Sequence, residues 1–515
     1  MNSKKSFVLS RCSQLFLSTV ASSAIITSSQ AVQAVSFNFT YDPGTSLEQM
    51  LGFEMAGQVY SSYLTDNITV DIHVGVTDLL PKYVIGGALP GLTAYQNYGN
   101  FRSKVYQDRT SSDDYTAYSH LHNYQYNDGY TRYHAYFEGN SHWYNRNIAL
   151  TNANAKALGI NPSNSLDGLI LMSDLSKENE LLSQNQQPGV YWNYDYSRQN
   201  GIGSDELDFL SVAMHEIGHI IGFVSGVDST EVAEAQASYN QNLDRLMHTT
   251  SLDMYRYTDW SDAHGGYLDL AYGVDSFFSI DGGDTALAYF SEGKDFALGF
   301  GGDGFQASHW SKTSHPVGIL DPDIALGERG NISDMDLRAF DVIGYNCAYH
   351  NYSGSYSSCD AASLNFSSLE YQAKNVLIEK INAQQGSNYS ASQIDLYIDD
   401  NYYNYTAAGW IAQDRIDDLI DMIDDSELYE WGWGNGGNGG NGGNGNCNPN
   451  CNSYPVELSQ LLASEGIFNE SSGFNWSTMA KFEPQEVPEP GIKIGFLGLG
   501  LWASSSLFKR HKNRK

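Results

Sequence analysis

Apolar positions recur with different periods along the chain, and these periods predict helices and strands. Residues 46–60 (SLEQMLGFEMAGQVY) suit a helix, with Ser46 as its N-cap. Residues 67–76 (NITVDIHVGV) alternate apolar and polar positions, which predicts a half-buried strand. Residues 152–160 predict a short helix, and residues 167–175 (DGLILMSDL) predict a buried strand. Helices and strands therefore alternate in the first part of the chain.

A single apolar helical face marks residues 204–223 (SDELDFLSVAMHEIGHIIGF). Its apolar side chains recur at steps of three and four residues, at Leu207, Leu210, Met214, Ile217 and Ile221. Ser204 is suited to cap the N-terminus of this helix, and Gly222 is suited to end it. The pattern therefore predicts a long helix with one buried face.

Three other regions have weaker or different patterns. Residues 94–147 are rich in tyrosine and poorly periodic, which predicts loops and short strands. Residues 347–430 contain helical patterns such as AQDRIDDLIDMIDDSELYE and predict a helical C-terminal extension. Residues 431–486 begin with a Gly/Asn repeat that is unable to bury a core, so we predict a flexible linker and stalk there.

The first 34 residues differ in composition from the rest. Basic residues come first, an apolar stretch from about Leu15 to Ile26 follows, and Val32–Ala34 provides a small-residue cleavage site. The apolar stretch is short for a membrane span, which needs about 20 residues. We therefore predict that residues 1–34 are a signal peptide and that the chain is exported.

The chain ends in VPEPGIKIGFLGLGLWASSSLFKRHKNRK, residues 487–515. A Val-Pro-Glu-Pro motif, an apolar segment from about Ile494 to Phe508 and a basic tail follow one another. This order resembles the PEP-CTERM sorting signal of bacteria. The resemblance implies recognition by an exosortase-type enzyme, membrane contact only through this segment, and delivery to the cell surface or extracellular matrix. A simple C-terminal membrane anchor is the alternative, and it also leaves the preceding domain outside the cell.

The cysteines fit an exported chain. Cys12 lies in the predicted signal peptide, which leaves Cys347, Cys359, Cys447 and Cys451 of the 5 cysteines. Export favours disulfides over a metal site made from these residues. Proximity favours the pairs Cys347–Cys359 and Cys447–Cys451, although three connectivities are possible.

The net charge of -32 argues against nucleic acid as a partner. A phosphate backbone is bound through Lys and Arg, which are in the minority here. Functional residues are therefore expected in motifs other than basic patches.

The motif HEIGH, residues 215–219, is the one that most clearly indicates a catalytic site. His215 and His219 are four residues apart on the predicted helix, so one face presents both imidazoles to a single zinc ion. Glu216 is placed to accept a proton from the attacking water and to pass it to the leaving amine. The motif therefore predicts a catalytic zinc centre with Glu216 as the general base.

The longer run HEIGHIIGF resembles the metzincin metallopeptidases. Metzincins have a third histidine three residues after the glycine, and Ser225 occupies that position here. The later segments QASHW and ISDMDLRAFDVIGY resemble the leishmanolysin group, in which an insertion precedes a third histidine followed by an aromatic residue. The resemblance covers residues 36–346. It implies that His309 is the third zinc ligand and that Leu320 replaces the Met-turn methionine.

The same resemblance implies an α+β fold: a metzincin-like, two-lobed catalytic domain with an active-site helix and a mixed sheet. A small helical segment and a flexible tail would follow it. Metzincins are often made latent by a cysteine ligand, but the one cysteine before the motif is Cys12. Latency here would therefore need a different mechanism.

Ligand type alone leaves other candidates for the third zinc ligand. These are Asp228, Glu231, Glu234, His264 and His315. Asp228 lies just beyond the predicted helix, and zinc accepts carboxylate ligands. His315 is alternatively a residue that faces the substrate.

Two acidic, glycine-rich loops, residues 281–284 and 301–304, have oxygen ligands of the kind that calcium takes. We favour ordinary turns over Ca²⁺ sites, because no EF-hand or RTX pattern is present.

Together these observations predict a secreted or cell-surface zinc endopeptidase that acts on proteins or peptides. One alternative is a displayed structural or adhesive protein with a relic zinc site, and another is a metal-dependent hydrolase of a non-peptide polymer. Glu216 argues against the relic site, since structural zinc needs no such carboxylate. The predicted organisation is a signal peptide (1–34), a catalytic domain (35–346), a helical extension (347–430), a linker and stalk (431–486) and a sorting signal (487–515).

Overall fold

The computed structural model of the chain describes most of residues 34–385, together with residues 388, 390 and 479–481. Within the first range it omits residues 43–44, 78–79, 81–83, 139–140, 161–165, 228–248, 294–301 and 349–358. The Gly/Asn repeat, the Cys447–Cys451 pair and the predicted sorting signal lie outside the described residues. Across the part that is described, no helix combines the length and the apolar character needed to cross a bilayer.

The described residues form a mixed α+β structure, which confirms the predicted fold class at that level. The helices are α1 (Leu47–Tyr63), α2 (Tyr98–Asp108), α3 (Ser112–His120), α4 (Asn152–Ala157), α5 (Ser176–Gln184), α6 (Phe209–Ile220), α7 (Asp259–Ala263), α8 (Asp334–Ile343) and α9 (Phe366–Gln385). The strands are β1 (Ser36–Tyr41), β2 (Thr69–Thr77), β3 (Val84–Pro90), β4 (Leu92–Asn97), β5 (Tyr124–Gln125), β6 (Thr131–Glu138), β7 (Ser141–Asn145), β8 (Asn147–Thr151), β9 (Gly168–Ser173), β10 (Tyr191–Asn193), β11 (Glu206–Asp208), β12 (Arg256–Tyr257), β13 (Leu268–Asp269), β14 (Phe277–Phe278), β15 (Ala288–Tyr289) and β16 (Met479–Lys481). A short 3-10 helix, Leu252–Tyr255, precedes β12.

The largest sheet is mixed and has the strand order β1-β2-β9-β3-β16. Strands β1, β2 and β9 are parallel, whereas β3 is antiparallel to β9 and β16 is antiparallel to β3. The predicted strand at 67–76 is confirmed as β2, with Val70, Ile72 and Val74 fully buried. The other face is covered as well, because His73 is buried and bound to Asp42 at 2.8 Å. This strand is therefore more deeply buried than its alternation predicts.

Helix α1 confirms the prediction for residues 46–60. Ser46 caps it through a reciprocal pair of hydrogen bonds with Gln49. The helix packs against both α6 and α9. In the contact with α9, Lys380 Nζ lies 2.5 Å from Glu54 Oε1, a buried carboxylate. The described part of the helical extension thus packs directly on α1.

A disulfide joins Cys347 and Cys359, with an Sγ–Sγ distance of 2.11 Å. The predicted pairing of these two residues is confirmed. The bond follows α8 and precedes α9, so it closes the segment between these helices.

The prediction of loops and short strands for residues 94–147 is wrong in part. Helices α2 and α3 lie in this region, in addition to the expected strands. Asn97 caps α2, and Ser111 caps α3 through a capping box with Asp114. Few apolar side chains of these helices face the interior, notably Phe101 and Val105 in α2. The caps define these helices more than apolar periodicity does, and periodicity alone therefore misses them.

The predicted start of the HEIGH helix at Ser204 is also wrong. Helix α6 begins at Phe209, and the side chain of Asp208 caps it by accepting from the Ser211 amide. The preceding residues form β11, which pairs in parallel with β10. Arg198 Nη2 lies 2.9 Å from Asp208 Oδ2, so an ion pair holds the capping carboxylate. Tertiary pairing here overrides the local cap signal of Ser204.

Candidate metal centre

Three histidines converge at the C-terminal half of α6. Two of them, His215 and His219, lie on that helix, and His309 comes from a loop after β15. Their Nε2 atoms are close: 3.0 Å separates His219 from His215, and 3.2 Å separates His309 from His215. A zinc ion with nitrogen bonds of about 2.0–2.1 Å in a tetrahedron holds two nitrogens roughly 3.3 Å apart. The spacing therefore suits three ligands of one ion, and the group could hold a metal.

The remaining ring nitrogen of each histidine faces a backbone carbonyl. His215 Nδ1 lies 2.8 Å from Ile319 O, His219 Nδ1 lies 2.8 Å from Phe223 O, and His309 Nδ1 lies 3.1 Å from Gln306 O. A carbonyl only accepts, so each Nδ1–H donates and each Nε2 presents a lone pair. Lone pairs that face one another repel unless a cation lies between them. The three histidines are therefore in the tautomer whose Nε2 atom can bind a metal ion.

Burial keeps the imidazoles of His215 and His219 neutral. It lowers the pKa of His215 to about 4 and lowers the pKa of His219 well below its ordinary value. For His219 the nearby His215 adds to the effect of burial. At neutral pH both rings are therefore in the unprotonated form that ligates metals.

His309 reaches the centre because the chain returns to the position where α6 ends. The Ser225 amide donates to Ser308 Oγ at 2.9 Å, so the two segments touch immediately before His309. Ser225 Oγ in turn lies 2.5 Å from Asp253 Oδ1. Residues 225 and 308 therefore lie side by side although they are far apart along the chain, and His309 follows the second of them. Of the sequence candidates that the structure describes, His309 is the one that lies next to His215 and His219.

Asp336 positions two parts of the centre, and sequence reasoning missed it. Its carboxylate accepts from Trp310 Nε1 at 2.8 Å and from the Ile319 amide at 2.8 Å. Trp310 follows His309, and Ile319 supplies the carbonyl that orients His215. The only local signal was the capping box of α8, in which Ser333 pairs with Asp336. The two longer contacts depend on the tertiary fold.

Arg256 is a second positioning residue that the sequence did not reveal. It is almost completely buried, and its guanidinium lies over the Phe290 ring at 4.8 Å. It donates to Ser291 O at 2.8 Å and to Ala307 O at 3.3 Å. A buried arginine bound to carbonyls fixes the backbone at Ser291 and Ala307, both of which precede His309 along the chain.

Glu216 is fully buried and lies against β3. A Cβ atom added to Gly86 would come within 2.6 Å of Glu216 Oε1 and 2.9 Å of Val212 Cγ1. Only glycine at position 86 therefore leaves room for this carboxylate. Leu320 lies beneath the same helix, 3.0 Å from the Cβ position of Gly218. It is fully buried there, between the two histidine positions of α6.

A cavity of about 270 Å³ opens beside His215. Val212, Ile319 and Ile332 give it apolar walls, and Asp321 supplies a carboxylate. Burial raises the pKa of Asp321 to about 7. The cavity is large enough for a side chain and adjoins one histidine of the centre.

The other candidate ligands lie away from the three histidines or are not among the described residues. His264 is exposed, stacks on Trp260 and lies 2.7 Å from Trp260 O through Nδ1. His315 is exposed beside Ser314. Three further candidates are not among the described residues: Asp228, Glu231 and Glu234. Neither described candidate belongs to the three-histidine group.

The first of the two loops considered for calcium is a hydrogen-bonded turn. Asp281 Oδ1 accepts from Ser279 Oγ at 2.7 Å and from the Thr285 amide at 2.9 Å. In the second loop, Asp303 accepts from the Phe305 amide at 3.0 Å, and residue 301 is outside the described set. Among the described residues, the other group of three potential ligands is Asp341 with Cys347 and Cys359, whose sulfurs are bonded to each other.

Comparison with known proteins identified no similar protein. No protein-family model matches the chain, and neither a curated protein nor a solved structure matches it.

Proposed function

We propose that this chain is a zinc-dependent endopeptidase with a metzincin-like catalytic domain. The observation that supports this most strongly is the convergence of three imidazole Nε2 atoms, from His215, His219 and His309, next to Glu216. Three histidines with a fourth position left open are a donor set of catalytic zinc sites, whereas structural sites use four protein ligands.

Each residue has a separate proposed role. His215, His219 and His309 would hold the ion, and zinc when bound supplies a Lewis acid that acidifies water and polarises a carbonyl. Glu216 accepts the proton of the attacking water and donates it to the departing amine, so that the amide bond is replaced by a carboxylate and an amine. The carbonyls of Ile319 and Phe223 hold two of the rings in the ligating orientation.

The cavity beside His215 is the proposed site for one substrate side chain. Its apolar walls would bury the side chain, and Asp321 would face it with a carboxyl group. A cavity of about 270 Å³ accepts a single large side chain more readily than an extended ligand. An endopeptidase that selects one side chain next to the cleaved bond is consistent with this shape.

Casein zymography tests the proposal directly. Three full-length proteins would be compared, each with and without a zinc chelator: wild type, Glu216→Gln and Glu180→Gln. Glu180 is an exposed glutamate on α5, so its substitution removes the same charge away from the centre. We expect clearing by wild type and Glu180→Gln, loss of clearing with chelator, and a loss of about 10²–10⁴-fold for Glu216→Gln. A zinc-loaded wild type that clears no substrate would instead support the displayed structural or adhesive protein.

We also propose that the enzyme is exported and sorted to the cell surface or matrix. The signal-peptide pattern in residues 1–34 and the PEP-CTERM-like pattern in residues 487–515 support this. An exosortase-type enzyme would then process the C-terminal signal. Mass spectrometry of the extracellular form should find the mature N-terminus close to Val35 and no peptide from the last 20 or so residues. A surface protein that retains the intact C-terminus would support the simple anchor.

A further inference from the structure

Strand β3 has a partner that comes from far along the chain. Its inner neighbour is β9, and its outer neighbour is β16, which runs antiparallel to it. Met479 pairs with Gly87, Ala480 with Gly86 and Lys481 with Val84, with a register shift before Lys481. The segment lies beyond the Gly/Asn repeat and shortly before the Val-Pro-Glu-Pro motif. A C-terminal segment therefore completes the sheet at β3.

The paired part of β3 is also the part that lies against the proposed general base. A Cβ atom at Gly86 would come within 2.6 Å of Glu216 Oε1. Ala480 is the residue opposite Gly86, and β16 is itself a direct neighbour of α6. The C-terminal segment thus lies beside the strand that adjoins the candidate active site.

A sheet edge offers a row of backbone donors and acceptors, and one extended chain occupies it at a time. An extended peptide that approached Glu216 along β3 would need the same groups that β16 uses. The two strands therefore exclude one another at Gly86 and Gly87. The chemistry recognised at this edge is that of an extended polypeptide backbone.

We propose that Met479–Lys481 is a tethered occupant of the β3 edge that competes there with extended peptide substrates, so that the full-length enzyme restrains itself. This inference rests on the proposed peptidase function. A tethered segment acts at an effective concentration on the order of millimolar. Even a weak strand pairing at that concentration competes with substrates whose KM lies in the range of about 1 μM to 1 mM. The segment would supply the latency for which the sequence has no cysteine switch.

The test is a proline substitution in the segment. In an antiparallel pair, neighbouring residues alternate between donating to the partner strand and facing away from it. The double variant Met479→Pro/Ala480→Pro therefore removes at least one pairing N–H, whichever residue donates. The matched control is Ser471→Pro/Ser472→Pro, which places two prolines earlier in the same tail.

Hydrogen–deuterium exchange of Val84–Pro90 is the first measurement, because it reports pairing without requiring activity. We expect exchange at least about tenfold faster in Met479→Pro/Ala480→Pro than in wild type or the control, since the edge amides lose their partner. Unchanged exchange would show that the segment does not occupy β3 and would overturn the inference.

The second measurement is kcat/KM for a quenched peptide substrate. We expect about a tenfold rise in Met479→Pro/Ala480→Pro, equivalent to about 1.4 kcal/mol, and no rise in the control. A synthetic peptide of residues 475–483 (NWSTMAKFE) should inhibit this variant more strongly than wild type. Faster exchange without a rise in kcat/KM would show that the segment pairs with β3 but does not compete with substrates, and this would overturn the inference. Absence of activity in every form would overturn the proposed function, while exchange would still decide whether the segment pairs with β3.

Discussion

Two groups of titratable residues, one buried and one largely buried, show how burial affects histidines and acids. One is the histidine centre, formed by His215, His219 and His309. The other, here called the acidic cluster, joins α2, α3 and α8 to the segment after α1. Its members are Asp66, Asp108, Asp114 and Asp341. Both groups gather residue types that bind metals, but the structure brings their ligand atoms together only in the histidine centre.

Burial favours the neutral form in both groups, with opposite consequences. In the histidine centre it lowers pKa values, and a neutral imidazole presents a lone pair. In the acidic cluster, burial raises the pKa of Asp108 to about 7 and that of Asp114 to about 6. A protonated carboxyl presents a hydrogen-bond donor in place of a negative charge. At neutral pH the histidines therefore present lone pairs, whereas Asp108 still holds a proton for about half of the time.

The hydrogen-bond partners of the two groups also differ. Carbonyl acceptors surround the Nδ1 atoms of the histidines and leave each Nε2 without a proton. Donors surround the acids: Asn346 donates to Asp66 and Asp108, and the Ser111 amide donates to Asp114. A cluster of ligand-type residues is thus a metal site only when its neighbours aim lone pairs at one point.

Substitution of one residue in each group should show the difference between the two groups most clearly, because only the histidine centre is expected to bind zinc. We expect His309→Ala to weaken zinc binding by at least about 100-fold, because loss of an outer partner alone costs about 10–100-fold. Asp108→Asn removes a metal-binding residue type from the acidic cluster and should leave zinc affinity unchanged. Competition titration with a chromogenic chelator measures both. Equal losses in the two variants would mean that the comparison is wrong.

The acidic cluster should instead be visible in the pH dependence of stability. Folded Asp108 keeps its proton up to about pH 7, whereas an unfolded aspartate loses it near pH 4. Its contribution to stability is therefore fully present below about pH 4 and is lost as the pH rises through 7. Relative to Asp108→Asn, wild type should lose about 2 kcal/mol of unfolding free energy between pH 4 and 8, after allowance for solvent screening. Urea denaturation at several pH values measures this, and parallel curves for the two proteins would contradict it.

A smaller effect should come from the contact that positions His309. Trp310→Phe keeps an aromatic ring but removes the Nε1–H that donates to Asp336. We expect zinc affinity to fall by about tenfold, the lower end of the range for an outer partner. Trp260→Phe is the matched control, since Trp260 stacks on exposed His264 away from the centre. An equal change in both variants would assign the effect to general destabilisation.

Local signals accounted for part of the molecule. The apolar periodicity and the cap at Ser46 predicted α1, and alternation predicted β2. The four-residue spacing of His215 and His219 suffices to place both on one face of α6. By contrast, α2 and α3 have few buried apolar side chains and were missed. Their caps were the only local signal.

Contacts between distant segments could not be predicted from local sequence patterns. His309 was identified through a family resemblance, and no local pattern shows that Ser308 meets Ser225. Asp336 and Arg256 act through bonds to residues that are well separated along the chain. Pairing of Met479–Lys481 with β3 involves too short a segment for periodicity to reveal. These contacts arise only when the tertiary structure forms.

X-ray absorption spectroscopy at the zinc edge tests the central claim most directly. The purified full-length chain would be measured with one equivalent of zinc, beside His309→Ala. We predict three imidazole nitrogens at about 2.0–2.1 Å and one further light-atom ligand in wild type, with one imidazole fewer in the variant. A zinc shell without imidazole, or one that is identical in both proteins, would contradict the assignment of His215, His219 and His309 as the metal centre.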